Sequence, residues 1–327
     1  MNPVENPYLE TISKLPSGLK KDKRKRFTHK TLAYFPSAKV FFEWKWGKKE
    51  KKKIKKKDSY TLPYSSPETF FNSKQDGIVW LWHASFYIRL NGANIITDPV
   101  FYKLPFIKNI SHHPKNPLLV MKDLDYLVIS HDHRDHLDVR TLKKLTHIFP
   151  NVRCFTGMNM KSLLRKFHFK EIQCASWYQK YNISKDISLY FLPAKHRWKR
   201  GIFDTNKRLW GSFIIKTKNT CIYFWWDSWY DSHFKEIGKL FPKIDYALIG
   251  IGAYEPKLFS KNNHTSPEEA IQAAKDLWAT YIIPMHYGTF DITNEAPSEP
   301  LNRFSEAMKQ ETELKAIILD LWGQIAI

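Results

Sequence analysis

Short apolar runs separated by polar turns dominate the chain from about residue 78 onward. Runs of this kind, rich in β-branched and aromatic residues, are typical of strands. The dipeptide Asn91-Gly92 between two of the runs predicts a tight hairpin. The pattern predicts strands at Ile78–Trp82, Phe86–Leu90, Asn94–Thr97, Tyr126–Ile129, Ser188–Leu192, Ser212–Lys216, Cys221–Trp225, Tyr246–Ile249 and Tyr281–Ile283.

Apolar residues recur with helical spacing in three segments, which are Val139–Ile148, Pro267–Trp278 and about Leu301–Gln310. Asp138 precedes the first segment and Ser266 the second, and both residue types suit a helix N-cap. Because strands and helices are mixed along the whole length, with hairpins among them, we expect a layered α/β or α+β fold.

The composition is that of a folded chain whose positive charge is concentrated near the N-terminus. Hydrophobic residues make up 43% of the 327 residues and aromatic residues 15%, which excludes an intrinsically disordered protein. The net charge is +20, yet residues 14–57 alone carry 18 Lys and Arg against three acids. The excess charge is therefore a property of one segment.

That segment predicts a basic, aromatic-containing N-terminal extension, residues 1–60, before a folded domain at residues 61–327. Two basic blocks, residues 20–26 and 48–57, flank a stretch that contains Phe35, Phe41, Phe42, Trp44 and Trp46. Such a segment can bind an anionic membrane surface, can bind nucleic acid through its phosphates, or can simply be a solvated extension. We favour the membrane over nucleic acid as the partner, and leave a homodimer open.

The location of the protein follows from what the sequence lacks. We expect no signal peptide, because no charged segment leads into an apolar run at the N-terminus. No stretch approaches the roughly 20 apolar residues of a membrane span. Cys154, Cys174 and Cys221 are far apart, which disfavours a disulfide framework and fits a reducing compartment. We predict a cytoplasmic protein or one peripheral to the cytoplasmic membrane face.

The strongest chemical signal is His131-Asp132-His133-Arg134-Asp135-His136, directly after a predicted buried strand. A run this polar cannot continue the strand, so we expect a loop at its end. Imidazole and carboxylate groups are common ligands of zinc and similar metals. His131 and His133 can face one ion, while Asp135 and His136 serve a second beside it. Two ions about 3.5–4 Å apart are the arrangement that activates a shared hydroxide.

The spacing His131-x-His133-x-Asp135-His136 matches the metal motif of the metallo-β-lactamase fold. Over residues 78–304 the chain resembles the N-acylphosphatidylethanolamine-hydrolysing phospholipase D group and its bacterial relatives. The segments that carry the resemblance are Trp80–Phe86, Ile95–Phe101, Pro193–His196, Asp204–Phe213, Ile251–Pro256, His264–Ala270 and Met285–Phe290. The resemblance implies an αββα sandwich, with two mixed sheets face to face, helices outside and the metals at one sheet edge.

The resemblance also implies a complete set of ligands for two Zn2+ ions. His196 would join His131 and His133 at the first ion. His286 would join Asp135 and His136 at the second, and Asp227 would bridge the two. Each added residue lies just after an apolar run, where a strand end would deliver it to a shared edge.

Three further residues receive supporting or catalytic roles, and Asp135 receives a second role. His264 lies near the substrate in the resembled group, and we name it with Asp135 as a catalytic candidate. Asp135 could accept a proton as well as bind metal. His83 and Asp98 would orient the ligands through hydrogen bonds, and ordinary buried hydrogen bonding is an equal alternative for both.

The predicted function is a di-zinc hydrolase of the phospholipase D type, a phosphodiesterase that cleaves N-acylphosphatidylethanolamine or a similar lipid with a metal-bridging hydroxide as nucleophile. A lactonase or nuclease of the same fold is the enzymatic alternative. A lipid- or nucleic-acid-binding protein on this scaffold is the non-enzymatic one. Trp82, Trp226 and Trp229 stand where the family usually has small residues, so the substrate can differ from the family's best-known one.

Overall fold

The structure is a computed structural model and describes nine stretches of the chain. They are residues 5–12, 19–28, 51–66, 68–112, 115–183, 186–196, 204–225, 227–255 and 264–327. The aromatic stretch at residues 35–46, the start of the second basic block at 48–50, Trp226 and Pro256 lie outside the described residues.

Two large mixed sheets form the centre of the described structure. The first has the strand order β1 (Glu10–Thr11), β11 (Gln179–Lys180), β12 (Ser188–Leu192), β13 (Ser212–Lys216), β14 (Cys221–Trp225), β15 (Ile244–Gly250), β16 (Ala279–Met285) and β18 (Lys315–Ala316). The second has the order β10 (Glu171–Ala175), β9 (Arg153–Gly157), β8 (Tyr126–Ile129), β6 (Ala93–Thr97), β5 (Ser85–Leu90), β4 (Gly77–Trp82) and β19 (Gln324–Ala326). Short ribbons pair β2 (Lys20–Lys21) with β3 (Phe27–Thr28) and β7 (Lys108–Asn109) with β17 (Phe290–Asp291).

Helices cover the outer faces of both sheets. They are α1 (Glu68–Asn72), α2 (Val139–Ile148), α3 (Lys161–Leu164), α4 (His233–Leu240), α5 (Pro267–Asp276) and α6 (Glu299–Met308), with 3-10 turns at Pro117–Leu119 and Arg165–Phe167. Helix α5 packs on β15 and β16 and also contacts α4 and α6. Residues 51–57 are also helical.

The alternation of side chains along β4 shows why the sheets stack. Ile78, Trp80 and Trp82 belong to the large core that includes the first sheet, whereas Val79 and Leu81 belong to a second core under α2. Successive strand residues point to opposite faces, so a strand that is apolar throughout must be covered on both sides. The chain therefore forms the predicted layers, helix, sheet, sheet and helix.

The predicted strands are all confirmed, as is the hairpin at Asn91-Gly92 between β5 and β6. Helix α2 has the predicted bounds, and the Asp138 carboxylate caps it by accepting the backbone N–H groups of Arg140 and Thr141 at 3.1 Å. Helix α5 ends at Asp276, earlier than predicted, because Trp278 adopts a left-handed backbone with φ of 55°. Helix α6 lies two residues earlier than predicted.

Parts of the N-terminal segment pack against the main body of the fold. Strand β1 pairs with β11, and Phe27 is buried in the large core. The backbone N–H of Phe27 donates to the carbonyl of Asn206 at 2.8 Å. The division at residue 60 stays a prediction. Among the residues that the structure describes, none of the helices combines the length and apolarity needed to span a bilayer.

Candidate metal centre

Polar residues that follow six strands converge at one end of the two sheets. In the second sheet, the carboxyl ends of β4, β6 and β8 lead into this site, and in the first sheet those of β12, β14 and β16 do so. The residues delivered there are His83, Asp98, His131–His136, His196, Asp227 and His286. The structure thus brings all seven predicted ligands together, with the predicted supporting residues beside them.

The Asp227 carboxylate lies in the middle of the cluster. Its Oδ2 is 3.6 Å from His133 Nδ1 and 3.4 Å from His136 Nε2. Its Oδ1 is 3.0 Å from His286 Nε2. The side chain is buried, with 1% of its surface exposed. Asp227 therefore faces both halves of the motif, as a bridging ligand would.

The first lobe of the site consists of His131, His133 and His196. The ring centroids of His131 and His133 are 4.3 Å apart, and His196 lies 5.3 Å and 4.9 Å from them. One nitrogen from each ring and one oxygen of Asp227 lie within 4.8 Å of one another. Three imidazoles and a carboxylate at this spacing match a four-coordinate zinc site.

The second lobe consists of Asp135, His136 and His286, and the structure adds His83 to it. Asp135 Oδ2 is 3.9 Å from His136 Nε2, 4.0 Å from His286 Nε2 and 3.6 Å from His83 Nε2. The Nε2 atoms of His136 and His286 approach to 3.3 Å. His83 Nε2 therefore lies as close to Asp135 as the two predicted ligands do, although the role predicted for it was only an orienting one.

His264 lies beside both lobes at the more open side of the site. Its Nδ1 is 3.1 Å from Asp227 Oδ1, and its ring centroid is 5.7 Å from that of His286. The side chains of His264 and His133 are 17% and 22% exposed, whereas His286 and Asp227 are almost fully buried. Burial alone would lower the pKa of His264, but the Asp227 carboxylate raises it.

Asp98 supports the second lobe from behind. One of its oxygens is 2.9 Å from His136 Nδ1 and also accepts the Ser130 hydroxyl, and the other accepts the Ser130 backbone N–H at 2.8 Å. A carboxylate that accepts a hydrogen bond from Nδ1 of His136 leaves Nε2 of the ring directed at the second lobe and increases the basicity of Nε2. The structure therefore places Asp98 where the orienting role predicted for it requires.

Two supporting contacts could not be found from the sequence. Arg208 forms a close ion pair with Asp132, and its other nitrogen contacts Asp204 at 2.8 Å. Asp132 is buried and lies between His131 and His133 in the sequence. Its ion pair with Arg208 therefore fixes the loop that carries the two histidines. The second contact joins His83 Nδ1 to the Thr289 hydroxyl at 2.6 Å. The resemblance contained the segments of Arg208 and Thr289, but nothing in them indicated these partners.

Three residues of the site adopt a left-handed backbone. His83, Asp98 and His286 have φ angles of 36°, 32° and 62°. Such conformations cost about 1–3 kcal/mol each for non-glycine residues and persist where the surroundings enforce them. A Cβ on Gly252 would lie 2.2 Å from the carbonyl oxygen of His286, so only glycine lets this loop pass so close to the His286 backbone.

The electrostatics of the cluster favour metal binding. Burial lowers the pKa of His131, His196 and His286 well below the usual histidine value. These rings are therefore neutral at pH 7 and offer a lone pair to a cation. Burial alone would raise the pKa of Asp227, but His286 and His264 hold it well below the usual range, so the residue is a carboxylate.

The donor set also fits a cation on hydrogen-bonding grounds. Both oxygens of Asp227 are buried, and no described residue donates a hydrogen bond of good geometry to either. A buried carboxylate without donors is costly unless a positive charge compensates it. Imidazole and carboxylate ligands converging from two sides are the donors that Zn2+ prefers. The residues present therefore fit the predicted metals.

The bulky residues near the metal motif are only partly accounted for. Trp82 is buried, and its ring packs edge-on against Phe290 at 5.6 Å. Trp229 is half-buried, and its backbone N–H donates to the Lys195 carbonyl at 3.1 Å. The Ser228 hydroxyl accepts the backbone N–H of Lys195, which ties the loop of Asp227 to that of His196. The influence of the indoles on the substrate remains a prediction.

Comparison with known proteins identifies relatives by both sequence and structure. A family model described as "Beta-lactamase superfamily domain" matches residues 93–287. The chain is 32% identical over 251 residues to N-acyl-phosphatidylethanolamine-hydrolyzing phospholipase D 1 of Caenorhabditis elegans, which covers 72% of this chain and 70% of the relative. It is 30% identical over 241 residues to the mitochondrial enzyme of that name from Saccharomyces cerevisiae, covering 69% of this chain and 51% of the relative.

A solved structure gives the same result for the fold. Igni18, a metallo hydrolase from the archaeon Ignicoccus hospitalis, superimposes with a TM-score of 0.59 over 77% of this chain and 98% of its own. The two sequences are 19% identical, so the likeness concerns the fold alone. The predicted αββα sandwich is thereby confirmed.

Proposed function

The chain belongs to the β-lactamase superfamily and is a metal-dependent hydrolase, and from that premise we propose that it is a di-zinc phosphodiesterase of the phospholipase D type. Its substrate is N-acylphosphatidylethanolamine or a similar lipid. The observation that carries the proposal is the position of the Asp227 carboxylate, 3.4 Å from His136 in the second lobe and 3.6 Å from His133 in the first.

Each lobe would hold one ion, with Asp227 shared between them. His131, His133 and His196 would hold the first, and Asp135, His136 and His286 the second. Zinc ions bound in this way lower the pKa of a water toward neutrality and offset negative charge on phosphoryl oxygens. No separate serine or cysteine nucleophile is then required.

The residues of the chain itself position the ions and the leaving group. Asp98 holds His136 in the tautomer that exposes Nε2. His264 lies on the open side, with its Nδ1 3.1 Å from Asp227 Oδ1. When the bond between phosphorus and the alcohol oxygen breaks, the departing oxygen needs a proton, and we propose that His264 donates it.

The choice of a lipid phosphodiester is supported by the relatives from C. elegans and S. cerevisiae, whose names state hydrolysis of N-acylphosphatidylethanolamine. The test compares purified protein on that lipid in mixed micelles, on a lactone and on RNA. We expect hydrolysis of the lipid alone, with release of the N-acylated amino alcohol and a phosphatidic acid. Exclusive cleavage of the lactone or of RNA would contradict the proposal and favour the enzymatic alternatives.

Metal analysis tests the cofactor. We expect about two zinc ions per chain in carefully purified protein, and loss of lipid hydrolysis on chelation that zinc restores. Less than one ion per chain, with no recovery of activity, would favour a binding protein on this scaffold.

We also propose that the protein docks on anionic membranes through its basic N-terminal segment. Helix 51–57 exposes Ile54 between its lysines, and Phe106 is fully exposed at a nearby turn. Because Phe27 is part of the core, substitution is a cleaner test than deletion. Binding to anionic vesicles should fall with added salt and in Phe106→Ala, while equal binding to neutral vesicles would contradict docking by charge.

A further inference from the structure

A second cavity lies beside the metal centre, and we call it the lysine cleft. It has a volume of about 1060 Å3 and is lined by helix 51–57 and by the segment 103–112. Lys52 and Lys56 come from the helix, and Lys103 and Lys108 from the segment. Lys55 of the helix also lines it, so two parts of the chain that are remote in sequence contribute three and two lysines to one cavity.

Among the described residues these four lysines have no acidic partner, unlike Lys51 and Lys55 of helix 51–57. Among the described residues, no carboxylate lies within 4.0 Å of any of the four ammonium groups. Lys51, one residue earlier on the helix, pairs with Glu255 at 2.7 Å. Lys55 forms a close pair with Asp291. The cleft therefore contains four lysines without an acidic partner among the described residues.

The acids that line the cleft are already engaged. Asp291 pairs with Lys55, and the Asp58 carboxylate accepts the backbone N–H and the hydroxyl of Ser298 at 2.9 Å and 2.7 Å. The described lining carries five lysines against these two aspartates, and a concave surface with such an excess of one sign concentrates its field on an ion of opposite sign. The cleft is therefore suited to an anion.

The walls of the cleft are built into the fold and adjoin the metal centre. In the backbone register of the β7–β17 ribbon, Lys108 lies opposite Asp291. Asp291 follows His286 by only a few residues in the chain. A smaller cavity lined by His83 and His286 shares lining residues with the cleft, among them Lys55. An anion in the cleft would therefore lie next to the site of hydrolysis.

We propose that the lysine cleft is a binding site for the phosphomonoester group of a lipid. A phosphomonoester carries about −1.5 to −2 charge at pH 7, since its second pKa is about 6. A phosphodiester carries a single negative charge. Four lysines without acidic partners gain more from the more highly charged group, and compact ammonium groups need no fixed planar geometry to bind it.

The ligand follows from the balance of the hydrolysis. Water adds a hydroxyl group to phosphorus, the bond from phosphorus to the alcohol oxygen breaks, and the proton goes to the alcohol. The lipid part then keeps a phosphomonoester. The identification of the ligand with this product rests on the proposed function, whereas the affinity of the cleft for a phosphomonoester does not.

Titration calorimetry on the full chain with zinc bound tests the site. The probes are dihexanoyl phosphatidic acid, a monoester, and dihexanoyl phosphatidylglycerol, a diester with the same acyl chains. We expect the monoester to bind at least about tenfold more tightly. The variants Lys52→Glu/Lys56→Glu and Lys103→Glu/Lys108→Glu should each weaken it at least about tenfold, since each replaces two cationic residues of the lining by anionic ones.

The matched control is Lys53→Glu/Lys57→Glu, which makes the same charge change on the same helix outside the cleft. It should weaken monoester binding less than about threefold, because its two lysines do not line the cavity. If all three variants bind alike, long-range charge or the metal centre explains the binding, and the proposal is overturned. Equal affinity for the two lipids overturns it as well.

Inorganic phosphate and glycerol 3-phosphate separate the lipid from a free phosphate. We expect both to bind at least about tenfold more weakly than phosphatidic acid, because they lack the acyl chains that bury apolar surface. Equal affinity would assign the cleft to free phosphate and overturn the lipid as ligand. If the protein binds the monoester but cleaves no phosphodiester, the proposed function is rejected, whereas the proposal of a phosphomonoester site in the cleft is retained.

Discussion

The two lobes of the metal centre share Asp227 but are supported differently. The second lobe rests on buried groups, because Asp98 lies behind His136 and the Thr289 hydroxyl contacts His83. The loop of the first lobe is fixed by an ion pair between Asp132 and Arg208, whose side chain is still 18% exposed. The difference indicates that the second lobe depends on several individual buried hydrogen bonds, whereas the first combines a contact between Ser130 and His131 with the position of a loop.

Loss of the shared carboxylate should have the largest effect, since it removes the contact between the lobes. In Asp227→Asn, an NH2 group replaces one carboxylate oxygen. The resulting neutral amide cannot balance the charge of the two proposed cations. We expect lipid hydrolysis to fall more than about a hundredfold, beyond the range expected for supporting residues. Zinc per chain, measured by mass spectrometry, should drop in both lobes. Retention of two tightly bound ions would show that Asp227 does not bridge them.

Asp98→Asn should affect the second lobe alone. The amide cannot hold His136 as the carboxylate does, so we expect metal affinity or activity to fall about 10–100-fold. Zinc content should approach one ion per chain rather than none, which equilibrium dialysis would measure. Ser130→Ala is the control, because it removes the hydroxyl bonded to Asp98 and leaves the contact between Asp98 and His136. Equal loss in both variants would contradict a role through His136.

The motif at 131–136 was predictable from sequence because its ligands are close together in the chain. His196, Asp227 and His286 are isolated residues, and only the resemblance connected them to it. Asp132 and Arg208 are 76 positions apart and meet through the packing of two loops, which no local pattern encodes. Contacts between residues that are remote in sequence depend on the tertiary structure. The sequence therefore predicted the kind of site better than the residues that support its ligands.

In the fold, too, features that leave a local sequence pattern were predicted and features that depend on the backbone conformation of single residues were not. Alternating or fully apolar runs predicted the main strands because burial on one face or both leaves a direct pattern. The premature end of α5 at Asp276 was missed, because it depends on the left-handed backbone of Trp278. Strand β9, Arg153–Gly157, was also missed, since it begins with a charged residue and ends with glycine.

Arg208→Met should lower stability more than it lowers metal affinity. It leaves Asp132 buried without the guanidinium, and breaking a buried pair costs about 3–5 kcal/mol, less where solvent reaches the site. We expect a lower thermal midpoint and about tenfold weaker binding of one ion. The double variant Arg208→Met/Asp132→Asn should recover part of the midpoint, since the two effects are coupled. Additive losses would contradict a direct pair.

Thr289→Val should have the smallest effect, because it removes one hydrogen bond and keeps the shape of the side chain. The bond between the Thr289 hydroxyl and His83 Nδ1 orients the ring toward Asp135. A neutral hydrogen bond contributes about 1 kcal/mol, so we expect activity to fall about fivefold. Thr289→Ser keeps the hydroxyl and should retain most of the activity. If valine and serine behave alike, the orientation of His83 does not depend on this bond, and the second lobe needs fewer buried supports than proposed.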